Sequence, residues 1–341
     1  MGAQRKVIYR HRNINGIVKA TICLCIVVVL CISLSSIAIA GVVGDYTITS
    51  EAAIIIDFDT GLVIYEHNAD ELRVPASMVK MIAVHVVFDE IRAGNITLDT
   101  LVEVTESTSE FSFSRAFSNV PLHLDSTYSI RELLDVVIVR SASAATIALG
   151  EALFGSEDAL IRRMNQKASE HGIPAEFHDS WGGSPDNRIS ARGMAEMTRL
   201  LIMEHPEVLD FTSQVYVVFE EIEYNNTNAL LVEYEGIDGF KTGFTNPAGW
   251  CFSGTAIING RRIITITMGS IHGYRFPDTV TLLDYGFANY GITFANYFRD
   301  AVNPTDSDIS VKNALMPISK FEIDLAQYFD ILEIAIFLNE N

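Results

Sequence analysis

Between Ala20 and Ala40 almost every position is apolar and none is charged, a run of the length, about 20 residues, that can span a bilayer. Beyond it the pattern breaks into short segments. Ala52-Ala53-Ile54-Ile55-Ile56-Asp57 and Leu62-Val63-Ile64-Tyr65 are β-rich runs around Asp59-Thr60-Gly61, which predicts a hairpin. Met78 to Ile91 reads as an apolar helix closed by Gly94. Ser129-Ile130-Arg131-Glu132 has capping-box spacing and opens a helix through about Val139. Helices also fit 157–171 and 191–204, separated by a 172–190 loop rich in Gly, Pro, Asp and Ser. After Gly239 strands return: 250–258 and 262–269 flank Asn259-Gly260, a strong hairpin signal, and a last helix fits 277–290. Strands at both ends with helices between predict an α+β domain over residues 45–295, its sheet assembled from N- and C-terminal segments. The 296–341 tail stays unassigned: Asn303 to Asp308 reads as a linker, and 321–338 alternates apolar and acidic residues.

The N-terminal run is preceded by Arg5, Lys6, Arg10, Arg12 and Lys19 and ends in Ala38-Ile39-Ala40-Gly41. Basic, apolar and small-residue parts in that order describe a secretory signal over 1–40, with an uncleaved membrane anchor as the alternative. In either case the remainder is expected outside the cytoplasmic membrane. Cys23, Cys25 and Cys31 fall in this segment, so Cys251 is alone in the rest, which excludes an internal disulfide there and disfavours a Cys-rich metal site. The net charge is −19, and the five basic and no acidic side chains of residues 1–40 leave −24 on the remainder. Such a surface argues against nucleic acid or an anionic membrane face as partner.

Three short motifs carry candidate chemistry. Ser77-Met78-Val79-Lys80 places a hydroxyl and an amine on one helix face, three residues apart. Serine needs a base to become a nucleophile, and lysine serves only when neutral, a state that burial among Val79, Ile82, Ala83 and Val86 favours. About one Ser-x-x-Lys is expected by chance in a chain this long. Lys241-Thr242-Gly243 puts an ammonium and a hydroxyl on one strand beside a glycine that permits close approach, a set suited to a carboxylate. Ser141-Ala142-Ser143 follows a helix end, where small residues are common and a second hydroxyl could relay a proton.

In combination these motifs resemble the signature set of penicillin-recognising serine enzymes, specifically the D-alanyl-D-alanine carboxypeptidases of peptidase family S11, the low-molecular-mass penicillin-binding proteins. Asp57-x-x-Thr60-Gly61, Asn68-Ala69-Asp70, Pro75-Ala76-Ser77, Met164-Asn165, Ser190-Ala191-Arg192, Gly239-Phe240-Lys241-Thr242-Gly243 and Leu283-Asp284-Tyr285-Gly286-Phe287 follow that family's landmarks in order over about residues 50–290. The resemblance implies a β-lactamase/penicillin-binding transpeptidase-like α+β fold: a mainly antiparallel sheet flanked by helices, plus a helical subdomain, with the site between them. It implies Ser77 as acylated nucleophile, Lys80 as its base and Ser141 as proton relay. Lys241 and Thr242 would hold the substrate carboxylate with support from Arg275, and the N–H groups of Ser77 and Phe244 would form the oxyanion hole. The partners implied are peptidoglycan stem peptides ending in D-Ala-D-Ala and β-lactam antibiotics, with no cofactor and no metal. Two positions depart from the pattern. Ser143 stands where the family has an Asn that binds substrate backbone, and Phe244 where a small polar residue or His is usual.

Other chemistries fit less well. No Gly-x-Ser-x-Gly elbow accompanies the histidines, and His67, His85, His123, His171, His178, His205 and His272 show no zinc-ligand spacing. His85 reads as a packed core residue and Glu220-Glu221 as solvated surface. A β-lactamase-like hydrolase would need a Glu to position water, and the 172–190 loop holds only Glu176. A catalytically weak peptidoglycan-binding protein is the remaining alternative, favoured by Ser143.

Overall fold

The computed structural model describes residues 47–302; residues 1–40, where a secretory signal or anchor is expected, and the tail beyond 302 lie outside the described residues. The expected hairpin forms from β1 (Ala52–Asp57) and β2 (Val63–His67). Its turn is closed by Asp57, whose Oδ1 accepts bonds from the Thr60 N–H at 2.7 Å and hydroxyl at 2.5 Å. A 3₁₀ turn, Ala76–Val79, leads into α1 (Lys80–Arg92), which ends at Gly94 with a φ of +76°. Then come β3 (Leu101–Glu103), α2 (Glu106–Ser112), β4 (Thr127–Ser129) and α3 (Ile130–Asp135). The capping box predicted at Ser129 and Glu132 is present at the start of α3.

Two expectations for the helical part need correcting. The helix expected through Val139 is α-helical only to Asp135, and Val136–Arg140 widens into a π turn that ends on Ser141 at a left-handed φ of 65°. A further helix, α4 (Ser143–Phe154), follows at once. Its sequence is apolar on nearly every face, so it shows no amphipathic stripe. Next are α5 (Glu157–Glu170), the short β5 (Ala175–Glu176) and β6 (Arg188–Ile189) pairing across the expected loop, α6 (Ala191–Glu204) and α7 (Val208–Thr212). The hairpin of β7 (Tyr216–Phe219) and β8 (Ile222–Asn225) is a second addition. It turns on Glu220 and Glu221, both at positive φ, where the glycine or asparagine that announces such a turn is missing. Both glutamates are exposed, as expected, and the Glu220 carboxylate also accepts a 2.9 Å bond from the Tyr128 hydroxyl.

After α8 (Leu230–Glu233), the strands β9 (Ile237–Thr245), β10 (Gly249–Ile258) and β11 (Arg261–Ser270) are followed by α9 (Arg275–Val302), longer than the 277–290 expected. The principal sheet runs β2-β1-β11-β10-β9, every pair antiparallel. Ala52 lies opposite Met268 and Asp57 opposite Ile263, so N- and C-terminal segments do share one sheet. The unbroken apolar run of β1 reflects burial on both faces. Ala52, Ile54 and Ile56 face the larger core with α1 and α6, while Ala53 and Ile55 pack with Phe252, Leu282 and Leu283 under α9. The edge left open to the helical part is β9, which carries Lys241, Thr242 and Gly243.

Candidate active site

Ser77 is the second residue of the 3₁₀ turn and Lys80 the first of α1. Ala76, immediately before, takes a φ of 50°, a region costly for a residue with a β-carbon. The Lys80 ammonium donates to the Ser77 hydroxyl at 3.1 Å and to the Trp181 carbonyl at 2.6 Å. It is wholly buried. Burial lowers its pKa to about 7, opposed by the negative charge of Asp179. A neutral amine within reach of a serine oxygen is the activated pair that nucleophilic catalysis requires.

The Trp181 carbonyl is brought there by a close backbone approach. Gly182 sits at a φ of +86°, and a β-carbon on it would lie 2.0 Å from the Ala76 carbonyl oxygen. On the other side, β9 passes the nucleophile turn at Gly243, where a β-carbon would lie 2.8 Å from the Pro75 oxygen and 3.2 Å from the Ser77 nitrogen. Only glycine allows both contacts.

Lys241 is also wholly buried and donates to the Thr242 carbonyl at 3.2 Å. Burial, then the positive charges of Lys80 and Arg275, push its pKa well below the ordinary lysine value. Lys241 is thus close enough to Lys80 and Arg275 for their positive charges to act on it. Arg275 stacks between the Trp250 and Phe276 rings, 4.8 and 4.7 Å from their centroids, and donates to the Gly243 carbonyl at 3.4 Å. Burial lowers its pKa to about 10. Three basic side chains thus gather behind and beside one edge strand, with Asp179 acting on Lys80.

The third segment joins through contacts that the sequence did not announce. The Thr242 hydroxyl bonds the Thr227 hydroxyl at 2.7 Å, and the Thr227 N–H donates to the Val139 carbonyl at 3.1 Å, two residues before Ser141. Thr227 so ties the edge strand to the turn that presents Ser141. The Ser141 hydroxyl is buried without a hydrogen-bond partner. Ser143 is buried at the start of α4, its N–H donating to the Ser118 carbonyl at 2.9 Å. Phe244 is 46% exposed and leans on Trp250 at 4.4 Å between ring centroids. Glu176 is exposed and paired with His178 at 3.1 Å.

Elsewhere His85, Asp89, Glu204 and His205 bring four potential metal-ligating atoms within 4.8 Å of one another, a cluster that the sequence spacing did not reveal. The Lys167 ammonium lies 2.8 Å from both carboxylates of this group, so a cation of the chain's own already bridges them. Cys251 is buried in β10, as expected.

Residues 40–271 match the sequence profile of the D-alanyl-D-alanine carboxypeptidase family of serine peptidases. Among individual proteins, the chain is similar to the D-alanyl-D-alanine carboxypeptidase DacF of Bacillus subtilis, at 30% identity over 77% of this chain and 67% of that protein. It is likewise similar to DacA of Haemophilus influenzae, at 31% over 71% and 63%. The chain thus spans about two thirds of the length of these relatives. Among solved structures, a peptidoglycan synthesis regulatory factor (PBP3) of Streptococcus pneumoniae superposes with a TM-score of 0.67 and 32% identity, covering 70% of this chain and 71% of that one. Penicillin-binding protein D2 of Listeria monocytogenes, in its ampicillin-bound form, gives 0.63 and 29% over 71% and 98%. The fold is therefore the penicillin-binding, DD-peptidase type of α+β fold.

Proposed function

The chain belongs to the D-alanyl-D-alanine carboxypeptidase family of serine peptidases, and on that premise we propose that it removes the terminal D-Ala from peptidoglycan stem peptides through an acyl-enzyme on Ser77. The observation that carries this reading is the Ser77–Lys80 pair, 3.1 Å apart, with the amine buried and its pKa lowered to about 7. Neutral Lys80 takes the hydroxyl proton as Ser77 Oγ bonds to the carbonyl carbon of the penultimate D-Ala. The C–N bond then breaks, and the departing D-Ala amine receives a proton relayed through the unpartnered Ser141 hydroxyl. Water activated by the same lysine hydrolyses the ester. Backbone N–H groups of Ser77 and Phe244 stabilise the oxyanion. Lys241 and Thr242 hold the substrate carboxylate, with Arg275 adding positive field from behind the strand. Ser143 offers the acyl side one hydroxyl where the family pattern has an Asn amide.

A β-lactam ring presents the same acyl carbon next to a carboxylate and acylates Ser77 in the substrate's place. The domain of residues 45–295 works outside the cytoplasmic membrane, exported or anchored by residues 1–40. The test is labelling with a fluorescent penicillin, followed by measuring D-Ala release from a peptide ending in D-Ala-D-Ala. The intact protein is labelled, releases label slowly and frees D-Ala, while Ser77→Ala does none of these. Labelling that persists on Ser77→Ala ends the assignment. Rapid antibiotic hydrolysis would instead favour a lactamase.

A further inference from the structure

The mechanism above leaves one buried carboxylate beside the base without a task. Asp179 is 9% exposed and its two oxygens accept four hydrogen bonds. Oδ1 takes the Gly182 N–H at 2.7 Å and the Asn187 amide at 2.9 Å, and Oδ2 takes the N–H groups of Gly183 at 2.7 Å and Ser184 at 2.5 Å. These donors are three successive backbone amides and one side-chain amide, with no cationic side chain among them. Through these four bonds the carboxylate organises a turn. That turn is the one whose Trp181 carbonyl receives the Lys80 ammonium at 2.6 Å and whose Gly182 rests on the Ala76 backbone. The Trp181 ring is held in turn by Phe117 and Phe111, at 4.7 and 5.4 Å between centroids.

We propose that Asp179 is a positioning residue for the base: it fixes the turn whose Trp181 carbonyl holds Lys80 against the Ser77 hydroxyl, and it brings a negative charge to the amine's side of that turn. The proposal rests on the assignment of Lys80 as base. The groups facing Lys80 are the Trp181 carbonyl and Asp179 from the turn, the Ser77 hydroxyl from its own turn, and Lys241 from β9. The groups around Asp179 are Lys80 and Glu157, whose carboxylate is held by the N–H and hydroxyl of Ser180. Of the two carboxylates, only Asp179 acts on Lys80, and it favours the ammonium. Removing that charge makes the amine easier to deprotonate, so it becomes available at lower pH, while a weaker base takes the serine proton less effectively.

The experiment measures the second-order rate of acylation by a fluorescent penicillin against pH, on the full chain and on Asp179→Asn. The expected result is an acid limb displaced downward by about one pH unit, together with a plateau lowered about tenfold. An acid limb that stays in place or moves upward overturns the proposal. Asn187→Ala withdraws one anchor of the turn but keeps the carboxylate, so its plateau should fall with the limb unmoved; an unchanged plateau there overturns the anchoring role even if Asp179→Asn does not fold. A purely structural Asp179 would lower the plateau in both variants and displace the limb in neither. If the unaltered chain shows no acid limb, the base assignment itself fails, which is a different outcome.

Discussion

Helix α1 begins at a buried lysine and carries, further along, a partly buried set of opposite charges, and the two are accommodated in different ways. At its first residue, Lys80 is surrounded by a hydroxyl, a carbonyl and a second lysine, and its one anionic neighbour, Asp179, is bonded elsewhere. Burial therefore lowers its affinity for a proton until the amine titrates at about 7. Further along the same helix, Asp89 receives His205 at 2.9 Å and Lys167 at 2.8 Å, and His85 meets Glu204 at 2.9 Å. Burial pushes the Asp89 carboxyl up, yet the bonds from His205 and Lys167 outweigh it and hold the group well below its ordinary value. His85 goes to about 4, driven by burial and by Lys167 against the pull of Glu204. Buried lysines are thus not alike. Lys167, with two carboxylates in contact, is a structural cation, and Lys80, with none, is a titrating base.

Exchanging each lysine for an uncharged residue of similar length is the sharpest way to break this contrast. Lys80→Met should lower penicillin acylation by about a thousandfold or more, because Ser77 loses its base. The same change should stabilise the fold. The folded pKa near 7 lies below the ordinary 10.5, so the unfolded chain binds more protons between these limits. The burden is therefore greatest below pH 7 and fades as the pH rises toward 10.5. The unfolding free energy of Lys80→Met should exceed that of the unaltered chain by about 2–4 kcal/mol at pH 6 and converge with it near pH 10. A gain independent of pH would show that the amine is not the source of the cost.

Lys167→Met should do the reverse. Asp89 and Glu204 would keep their charges and lose their shared cation, costing about 2 kcal/mol of stability at neutral pH, a figure reduced because both carboxylates are about a quarter exposed. The loss should shrink as the pH falls and the two carboxylates take up protons. Acylation per folded molecule should stay unchanged. Slower acylation at equal folding would mean that the two ends of α1 are coupled.

The same contrast explains what the sequence revealed. Groups within one turn of each other were legible: the Ser77–Lys80 spacing, the Ser129–Glu132 box, and Asn259-Gly260 between β10 and β11. Lys241-Thr242-Gly243 was legible as an order of motifs, and the sheet supplied the proximity. His85, Asp89, Lys167, Glu204 and His205 come from three helices and their ends, where no short spacing records the meeting. Thr227 and Asp179 escaped notice for a similar reason. Each acts through backbone amides or a single hydroxyl, and neither residue type stands out in a polar loop. Helix α4 was hidden by its own apolarity, and the β7–β8 turn by two glutamates in a conformation that usually selects glycine or asparagine.

Ser143 gives the smallest predicted effect and the closest reading of the cleft's acyl side. Its N–H is fixed to the Ser118 carbonyl and its side chain is 2% exposed at the first turn of α4, so the residue is held in place by backbone bonding. Asn would add a second donor there while keeping those backbone bonds. Ser143→Asn should leave kcat/KM for a D-Ala-D-Ala peptide unchanged or raise it by up to about tenfold, the value of one added neutral hydrogen bond. Because Ala144 N–H is bonded at 2.8 Å to the Asn119 side chain, the start of α4 is anchored independently of the residue at 143, and the unfolding midpoint should move little. A tenfold loss of turnover without loss of folding would mean that the smaller hydroxyl serves this cleft better than the Asn amide of the family pattern, and that the acyl donor differs in shape on this side.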